Sequence, residues 1–284
     1  MSWNFKIFIQ IFLFFLVTST EAAFLKIESL ITYDYDLPVV SLIDSQDKYK
    51  LILDTGSSTD LALSEKILNR FAQRTSQHKR FQDIMGKTYS VPIWKIHSMM
   101  IFNHLYQDIE ISQKIDFGFH ASDSSYVDEV QGHIGITLFK DKKVLFDFMN
   151  NNISFLTDVE NYAEQGEWQE FKLTEYGIEF LLKINGKIFN AVIDTGSTLS
   201  FIRPEKLDKD WKVTTHKHDF LREKGIENQL IPVTYDAIWR PINQKEWPLF
   251  ILSSGQNIDI IVGMDALKGK KLIIDFIQNK FKIC

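Results

Sequence analysis

The sequence is poor in the features that mark disulfide-rich or nucleic-acid-binding proteins. It contains one cysteine, Cys284, so no disulfide bond can form within the chain. Lys and Arg are fewer than Asp and Glu (32 against 37). The resulting net charge of −5 does not indicate the basic surface that nucleic-acid-binding proteins use. Apolar residues make up 45% of the 284 positions, which indicates a globular chain with a sizeable core.

Long apolar runs are also scarce, and the one that stands out lies at the N-terminus. Lys6 precedes the apolar stretch from Ile7 to Val17, and Thr20-Glu21-Ala22 supplies small residues at the −3 and −1 positions of a cleavage site. The stretch is shorter than the roughly 20 residues that span a bilayer. We interpret residues 1–22 as a secretory signal peptide, with an uncleaved anchor as the alternative, and expect an exported protein, secreted or periplasmic.

One tetrapeptide occurs twice. Asp54-Thr55-Gly56-Ser57 ends the apolar run 51–53, and 140 residues later (194 − 54) Asp194-Thr195-Gly196-Ser197 ends the similar run 191–193. Either copy alone is a weak signal, because Asp and Gly are common turn residues. An apolar strand that delivers a carboxylate to a Gly-containing turn, done twice, predicts two related lobes that bring two Asp side chains together.

A second repeat follows each tetrapeptide. The segment from Ile134 to Phe148 aligns without gaps with the segment from Val262 to Phe276. The intervals from Asp to the matching Gly are 81 (135 − 54) and 69 (263 − 194), so the first copy carries 12 extra residues. The chain is therefore interpreted as an internal duplication with unequal loops.

The doubled Asp-Thr-Gly-Ser, each copy followed by an apolar-apolar-Gly strand, resembles the aspartic peptidases, in a bilobed pepsin-like arrangement whose halves are also similar to the retropepsin subunit. The resemblance covers about residues 30 to 284. It implies an all-β acid-protease fold with short helices, in which two related β-barrel-like lobes flank a central cleft. We assign residues 23–160 to the N-terminal lobe and residues 161–284 to the C-terminal lobe, with the polar stretch 158–169 as the linker.

Two features depart from the pepsin-like pattern. Such enzymes of eukaryotic secretory routes usually carry disulfide bonds, and the single cysteine favours a bacterial exported protein. Pepsin-like precursors also insert a basic pro-segment before the first lobe. Only 32 residues (54 − 22) separate the predicted cleavage site from Asp54, so we expect synthesis without an inhibitory pro-segment.

The resemblance gives catalytic roles to Asp54 and Asp194. Two carboxylates a hydrogen bond apart share one proton, so the ionised one can act as general base on a water while the protonated one polarises the scissile carbonyl. It also implies that the hydroxyls of Thr55 and Thr195 reach across to the backbone of the opposite loop. No metal ion or organic cofactor is required.

The remaining residues of the two tetrapeptides are expected to support the dyad. Gly56 and Gly196 let backbone N–H groups approach the carboxylates. The hydroxyls of Ser57 and Ser197 are expected to hydrogen-bond the outer carboxylate oxygens, which favours the charged form. Retropepsins usually have Ala there, so Ser in both copies predicts a lower working pH.

The stretch 73–90 is where the resemblance predicts a flap, a hairpin that closes over substrate. Gly86 is the expected hairpin tip. Tyr89 is the candidate for the flap tyrosine that hydrogen-bonds near the dyad, although a purely structural strand tyrosine is the equal alternative. The bound partner would be an extended polypeptide with apolar residues about the scissile bond.

Local patterns predict the elements around these motifs. Ser64 is the expected N-cap of a helix over Glu65 to Ala72, and Asn185-Gly186 predicts a hairpin turn. The predicted strands are 24–31, 39–43, 49–53, a pair within 91–111, 144–148, 153–156, 180–184 and 187–193; short helices are predicted at 137–140 and 203–207, and an irregular stretch at 113–131.

Three other interpretations are weighed. His216-Lys217-His218-Asp219 could suggest a metal site, but without spaced ligands elsewhere a solvated loop is favoured, so no metal is predicted. The chain could be a catalytically inactive, bilobed peptide-binding protein, although both tetrapeptides are intact. A structural or adhesion protein with a duplicated β domain would explain the repeat but not the two Asp-containing turns.

A single chain already holds both Asp residues, so a monomer suffices.

The signal-peptide interpretation makes a direct prediction. Export with cleavage after Ala22 would give a mature chain that begins at Ala23. N-terminal sequencing or intact-mass spectrometry of the expressed protein checks this. A chain that retains residues 1–22 in a membrane fraction would support the anchor.

Overall fold

The computed structural model describes residues 25–34, 36–82, 88–115, 129–157, 166–184, 186–207, 214–215, 229–233, 247–251 and 257–284, with backbone alone in 214–215, 229–233 and 247–251. The strands of the first half are β1 (Lys26–Ile27), β2 (Thr32–Asp34), β3 (Leu37–Ile43), β4 (Lys48–Asp54), β5 (Leu61–Leu63), β6 (Gln73–Gln82), β7 (Thr88–Ile101), β8 (His104–Gln113), β9 (Val130–Gly135), β10 (Lys143–Asp147) and β11 (Asn152–Phe155). A helix α1 (Glu65–Phe71) and a 3-10 helix (Ile136–Phe139) complete this half.

The second half contains the strands β12 (Gln169–Glu170), β13 (Lys172–Thr174), β14 (Gly177–Ile184), β15 (Lys187–Ile193), β16 (Phe201–Ile202), β17 (Thr214–Thr215), β18 (Gln229–Val233), β19 (Trp247–Ile251), β20 (Ile260–Val262), β21 (Lys271–Asp275) and β22 (Lys280–Ile283). Its helices are a 3-10 turn (Pro204–Lys206) and α2 (Met264–Leu267). The prediction of an all-β fold with short helices is confirmed.

The strands of the first half close into a barrel. The sheet runs β1-β3-β4-β9-β5-β8-β7, and the parallel pairing of β1 with β7 joins its two ends into a closed barrel of seven strands. β6 extends from β7 outside this ring, and β2 pairs with β3. Closure removes free sheet edges and surrounds a core of apolar side chains.

The sheet of the second half repeats this strand order. Its path β14-β15-β20-β16-β19-β18-β17 follows the same sequence of pairings as β3-β4-β9-β5-β8-β7-β6. The sense of each pairing also agrees: β4–β9 and β15–β20 are parallel, whereas β5–β9 and β16–β20 are antiparallel. Both Asp-containing turns therefore leave the same position of equivalent sheets.

A third sheet joins the two halves. It runs β11-β10-β21-β22-β12, so strands of the first half pair directly with strands of the second. β10 and β21 are the aligned strands of the sequence repeat, offset by 128 residues (271 − 143). They pair antiparallel, with Leu145 opposite its own repeat partner Ile273. This register is what a twofold axis between the two strands would produce.

Alternating apolar residues explain the strands that carry the site. On β14, Ile178, Phe180, Leu182 and Ile184 are buried, whereas Leu181 between them is exposed. The predicted hairpins are confirmed for β7–β8, β10–β11 and β14–β15. Their tight turns use positive φ angles, for example 65° at Asn103, 58° at Asn151 and 79° at Gly186.

Several local predictions need correction. The first predicted strand, 24–31, is reduced to Lys26–Ile27, because Leu25 and Ile27 are buried while Leu30 is exposed in an isolated bridge to Asn152. Ser64 lies at the N-cap of α1, but its hydroxyl donates to Oε1 of Gln131 (2.9 Å) and makes no cap hydrogen bond. The short helices of residues 136–139 and 204–206 were predicted within one residue.

Some predictions fall on residues outside the described ranges. These are the signal peptide at 1–22, the flap tip at Gly86, most of the irregular stretch 113–131, most of the linker, and the His216-to-Asp219 stretch. Among the described residues, no helix has the length and apolar character needed to cross a membrane.

Candidate active site

The two Asp-containing turns have the same construction. Asp54 ends β4 opposite Gly135 of β9, and the N–H of Asp194 donates to the carbonyl of Val262 at the end of β20 (3.0 Å). Each turn is closed by a hydrogen bond from the Ser three residues on to the Asp carbonyl, 3.2 Å for both Ser57 and Ser197. The equivalent strand ends thus present the two carboxyls in the same way.

The two apolar-apolar-Gly strands pass close behind these turns. A Cβ atom added to Gly135 would lie 2.1 Å from the carbonyl oxygen of Thr59, and one added to Gly263 would lie 2.3 Å from that of Leu199. A side chain at either position would force the crossing backbones apart. Gly at these positions is therefore required by the strand crossing.

The glycines of the turns bring each turn against the aspartate of the other half. A Cβ atom added to Gly56 would lie 2.5 Å from Cγ of Asp194, and one added to Gly196 would lie 2.7 Å from Cγ of Asp54. The backbone N–H of Gly196 also donates to Oδ1 of Asp194 (2.8 Å). The two turns therefore form one site, with Asp54 and Asp194 side by side.

Thr55 and Thr195 tie the two turns together. Thr55 Oγ1 donates to the carbonyl of Ile193 (2.9 Å) and accepts from the N–H of Thr195 (3.0 Å). Thr195 Oγ1 donates to the carbonyl of Leu53 (2.6 Å) and accepts from the N–H of Thr55 (3.0 Å). Both threonines are fully buried, so the four bonds form a closed interlock without solvent.

Burial and mutual repulsion raise the pKa values of the dyad. The pKa of Asp54 is held well above 3.8, first by burial and then by the charge of Asp194 and the hydrogen bond with it. Burial also raises the pKa of Asp194. Opposing this, Asp194 accepts hydrogen bonds from the N–H of Gly196 (2.8 Å at Oδ1) and from Asp54. Both pKa values are raised, and because two carboxyls this close cannot both ionise cheaply, the steps of proton loss belong to the pair.

The predicted role of the two serine hydroxyls is wrong. Ser57 Oγ hydrogen-bonds Thr59 Oγ1 (2.9 Å) and Nε2 of His133 (3.2 Å), and Ser197 Oγ donates to the carbonyl of Leu199 (2.7 Å). The serines act on the carboxylates through their backbone N–H groups, which lower the pKa values. Each hydroxyl bonds a partner within its own half of the chain and not a carboxylate oxygen. The structure therefore does not support the lower working pH that was expected from these hydroxyls.

Two residues beside the site were missed from the sequence. A Cβ atom on Gly177, at the start of β14, would lie 2.1 Å from the carbonyl oxygen of Thr55, so this strand passes behind the opposite turn. His133 of β9 is buried, and burial together with the charge of Lys114 lowers its pKa to about 4. The sequence signal for His133 was a polar residue two positions before Gly135, where the repeat has Ile261.

The hairpin of β6 and β7 lies beside the Asp54 turn. Lys79 of β6 donates to the carbonyl of Ser58 (3.3 Å), and Gln82 at the end of β6 is 3.5 Å from the hydroxyl of Tyr176 in the second half. Tyr89 lies on β7 opposite Phe81 and is half-buried. The assignment of this hairpin as a flap and the role of Tyr89 in it stay predictions.

Within the described ranges, no group of three or more His, Cys, Asp or Glu side chains is arranged to hold a metal ion.

Residues 178–275 match the family model of the retroviral aspartyl protease. The matched segment begins at the second residue of β14, ends with β21 and contains the Asp194 turn. The match supports an aspartic peptidase, and hence a hydrolase with aspartic protease activity in general terms. Among curated proteins, none matches the sequence.

The threonine interlock predicts a stability loss for Thr55→Val. The substitution removes a hydroxyl that serves the carbonyl of Ile193 and the N–H of Thr195, both buried. Leaving two buried polar groups without this partner should cost about 2–4 kcal/mol of unfolding free energy. Urea unfolding of Thr55→Val measures it. The control is Thr32→Val. Thr32 is exposed on β2 and its hydroxyl donates to the carbonyl of Val39 on β3 (3.3 Å), so its loss should change stability by less than about 1 kcal/mol.

The raised pKa of Asp54 predicts a pH-dependent gain in stability for Asp54→Asn. Because the folded chain holds the proton of Asp54 above pH 3.8, its contribution to stability is full below that pH and is lost as the pH rises through the folded pKa. Asn does not titrate, so Asp54→Asn should be more stable than the wild type at pH 7, with the difference shrinking towards pH 4. Urea unfolding at pH 4 to 7 measures this, and equal stability at all pH values would contradict it.

Proposed function

We propose that the chain is an aspartic endopeptidase that hydrolyses peptide bonds in extended polypeptide segments through a dyad of Asp54 and Asp194. One observation carries this proposal. The carboxyls of the two repeated turns lie together in one buried site, where the pKa values of both are raised. That is the electrostatic condition for general acid and base catalysis by two carboxyl groups.

We propose that Asp194 is the ionised carboxyl of the pair, because the N–H of Gly196 donates to its Oδ1 (2.8 Å). Asp194, whose charge is favoured by the N–H of Gly196 and by Asp54, takes a proton from the attacking water. Asp54 gives its proton to the carbonyl oxygen of the scissile bond, so that the water oxygen bonds to the carbonyl carbon and a tetrahedral diol forms. No covalent bond to the enzyme is made.

Collapse of the diol returns the dyad to its starting state. Asp194 passes its proton to the leaving nitrogen as the C–N bond breaks, and Asp54 recovers a proton from the diol hydroxyl. The rate should therefore fall at high pH, where Asp54 loses its proton, and at low pH, where Asp194 gains one. The interlocked threonines act before the chemistry, by holding the two turns at a constant separation.

We also propose a bilobed, pepsin-like organisation with lobes at residues 23–160 and 161–284. The matching strand order of the two large sheets and the pairing of Leu145 with Ile273 support an internal duplication about a twofold axis. On this proposal the substrate lies extended between the lobes, under the β6–β7 hairpin. A monomer that needs no metal ion or cofactor is sufficient, and export through residues 1–22 completes the proposal.

The proposal predicts loss of peptidase activity when either aspartate is changed. We expect Asp54→Asn and Asp194→Asn each to lower kcat on an unfolded casein by roughly 10²–10⁴-fold between pH 3 and 7, because each removes a group that transfers a proton. Asp141→Asn is the matched control. Asp141 is an exposed turn residue with φ of 63°, which Asn also adopts, so its activity should equal the wild type.

The same assay separates the alternatives. A statine-type transition-state analogue should inhibit the wild type and protect it from thermal unfolding. A folded wild-type chain that binds the analogue or a peptide but cleaves nothing would overturn the peptidase proposal in favour of a peptide-binding protein. A chain that does neither would remove the cleft assignment as well.

A further inference from the structure

The two halves differ at one strand position directly behind the active-site turns. His133 lies on β9 between Ile52 of β4 and Ala62 of β5. The equivalent residue of the second half is Ile261, which lies on β20 between Val192 and Phe201. Both side chains are buried, at 8% exposure each. An apolar residue thus satisfies the fold at this position, and the imidazole of His133 needs another explanation.

The imidazole closes a triangle of hydrogen bonds with two hydroxyls. Nε2 of His133 lies 3.2 Å from Ser57 Oγ and 3.1 Å from Thr59 Oγ1, and the two hydroxyl oxygens are 2.9 Å apart. If Nε2 carried a proton, it could not accept, and one hydroxyl proton would have no acceptor within the triangle. If Nε2 is unprotonated, both hydroxyl protons have an acceptor. The contacts therefore favour a neutral imidazole with the proton on Nδ1.

The triangle is connected to the dyad through Ser57. The N–H of Ser57 donates to the carbonyl of Asp54 (3.2 Å) and also lowers the pKa of the Asp54 carboxyl. The carbonyl of Ser57 accepts from the N–H of Ile136, the residue after β9 (2.9 Å). The N–H and the carbonyl of Ser57 thus both make hydrogen bonds at the site, and its hydroxyl is hydrogen-bonded to His133 and Thr59.

The second half holds its turn differently. Ser197 Oγ donates to the carbonyl of Leu199 two residues away (2.7 Å), so this turn is closed by its own backbone. The first turn has Thr59 at the position of Leu199. There the hydroxyls of Ser57 and Thr59 bond the side chain of His133 on the neighbouring strand β9. The asymmetry falls on the turn that presents Asp54.

We propose that His133 is a positioning residue of the active site, whose neutral imidazole holds the Ser57 and Thr59 hydroxyls and thereby the turn that presents Asp54. The inference rests on the proposed peptidase function for its catalytic consequence. Its structural part, an unprotonated Nε2 that accepts from these hydroxyls, does not depend on that function.

The surroundings of His133 keep the imidazole neutral down to about pH 4. On the elements that flank it, β4 carries Lys48, Lys50 and Asp54, Asp60 precedes β5, and Lys114 follows β8. Burial, and then the charge of Lys114, lower the pKa of His133. With a pKa of about 4, the ring is neutral at pH 5 to 7. Below pH 4 the imidazolium can only donate, so the triangle must rearrange.

The test compares two substitutions of His133. His133→Ile copies Ile261 of the other half and removes the acceptor, whereas His133→Gln retains an amide oxygen near the place of Nε2. We expect His133→Ile to lower kcat on casein at pH 5 by about tenfold with KM unchanged, the loss of about one hydrogen bond from the oriented turn. His133→Gln should recover kcat to within about threefold of the wild type. Ile261→Val, a packing change at the equivalent position, is the control and should leave both constants unchanged.

A second measurement is independent of cleavage. Nitrogen-15 NMR of the histidine side chains should give Nε2 of His133 the chemical shift of an unprotonated nitrogen at pH 6, and the signal, assigned by its loss in His133→Gln, should titrate near pH 4. The combined variant Ser57→Ala, Thr59→Val removes both donors and should raise that titration midpoint.

The outcomes separate the two proposals. Wild-type kcat in His133→Ile, or a kcat in His133→Gln as low as in His133→Ile, overturns the positioning role while the peptidase proposal stands. A protonated Nε2 at pH 6 overturns it as well. A wild type that cleaves nothing overturns the peptidase function, and the NMR signal then decides the contact by itself.

Discussion

The interlock of Thr55 and Thr195 is the contact on which the rest of the site depends. Each hydroxyl donates to a carbonyl and accepts from an N–H of the opposite turn, at distances of 2.6 to 3.0 Å. Single hydrogen bonds of this kind are worth only about 1 kcal/mol net. Here four such bonds form a closed and fully buried set. If the two turns moved apart, the buried hydroxyl, N–H and carbonyl groups would all lose these partners. The separation of the two carboxyls follows from this constraint.

The strands behind the turns supply the second constraint. Gly135 and Gly263 let β9 and β20 pass directly behind the two turns, and Gly56 and Gly196 admit the opposite carboxyl. The small residues are therefore concentrated where backbone from one part of the chain must touch another. The carboxyl groups of Asp54 and Asp194 can then be held together in an environment that raises both of their pKa values. Two carboxyls on a flexible surface could not maintain this environment.

The two halves are similar in topology but not in chemistry. Their sheets repeat one strand order, and their aligned strands β10 and β21 pair across the centre of the third sheet. Yet the turn of Asp54 is bound by His133 and Thr59, whereas the turn of Asp194 is closed on the carbonyl of Leu199. Two sheets of the same strand order thus give their two carboxyls different surroundings, which is what separate acid and base roles require.

Much of the fold and of the site could be predicted because the determining patterns are local. Alternating strands, Asn-Gly and the doubled Asp-Thr-Gly-Ser need only a few neighbouring residues to be interpreted, and the strand behind each turn was identified by its Gly. Two of the failures have a common cause. The hydroxyl of Ser57 bonds His133 and that of Ser64 bonds Gln131, and both partners lie on β9, which is distant in sequence.

By itself, the sequence determined the class of fold and the presence of two equivalent Asp-containing turns, because periodicity and repetition are properties of the chain. Only the tertiary structure decided that β10 and β21 build a sheet shared by both halves, that burial raises the pKa values of both Asp54 and Asp194, and that His133 hydrogen-bonds Ser57. These outcomes depend on burial and on distances between residues as much as 140 positions apart (194 − 54), and no local pattern encodes them.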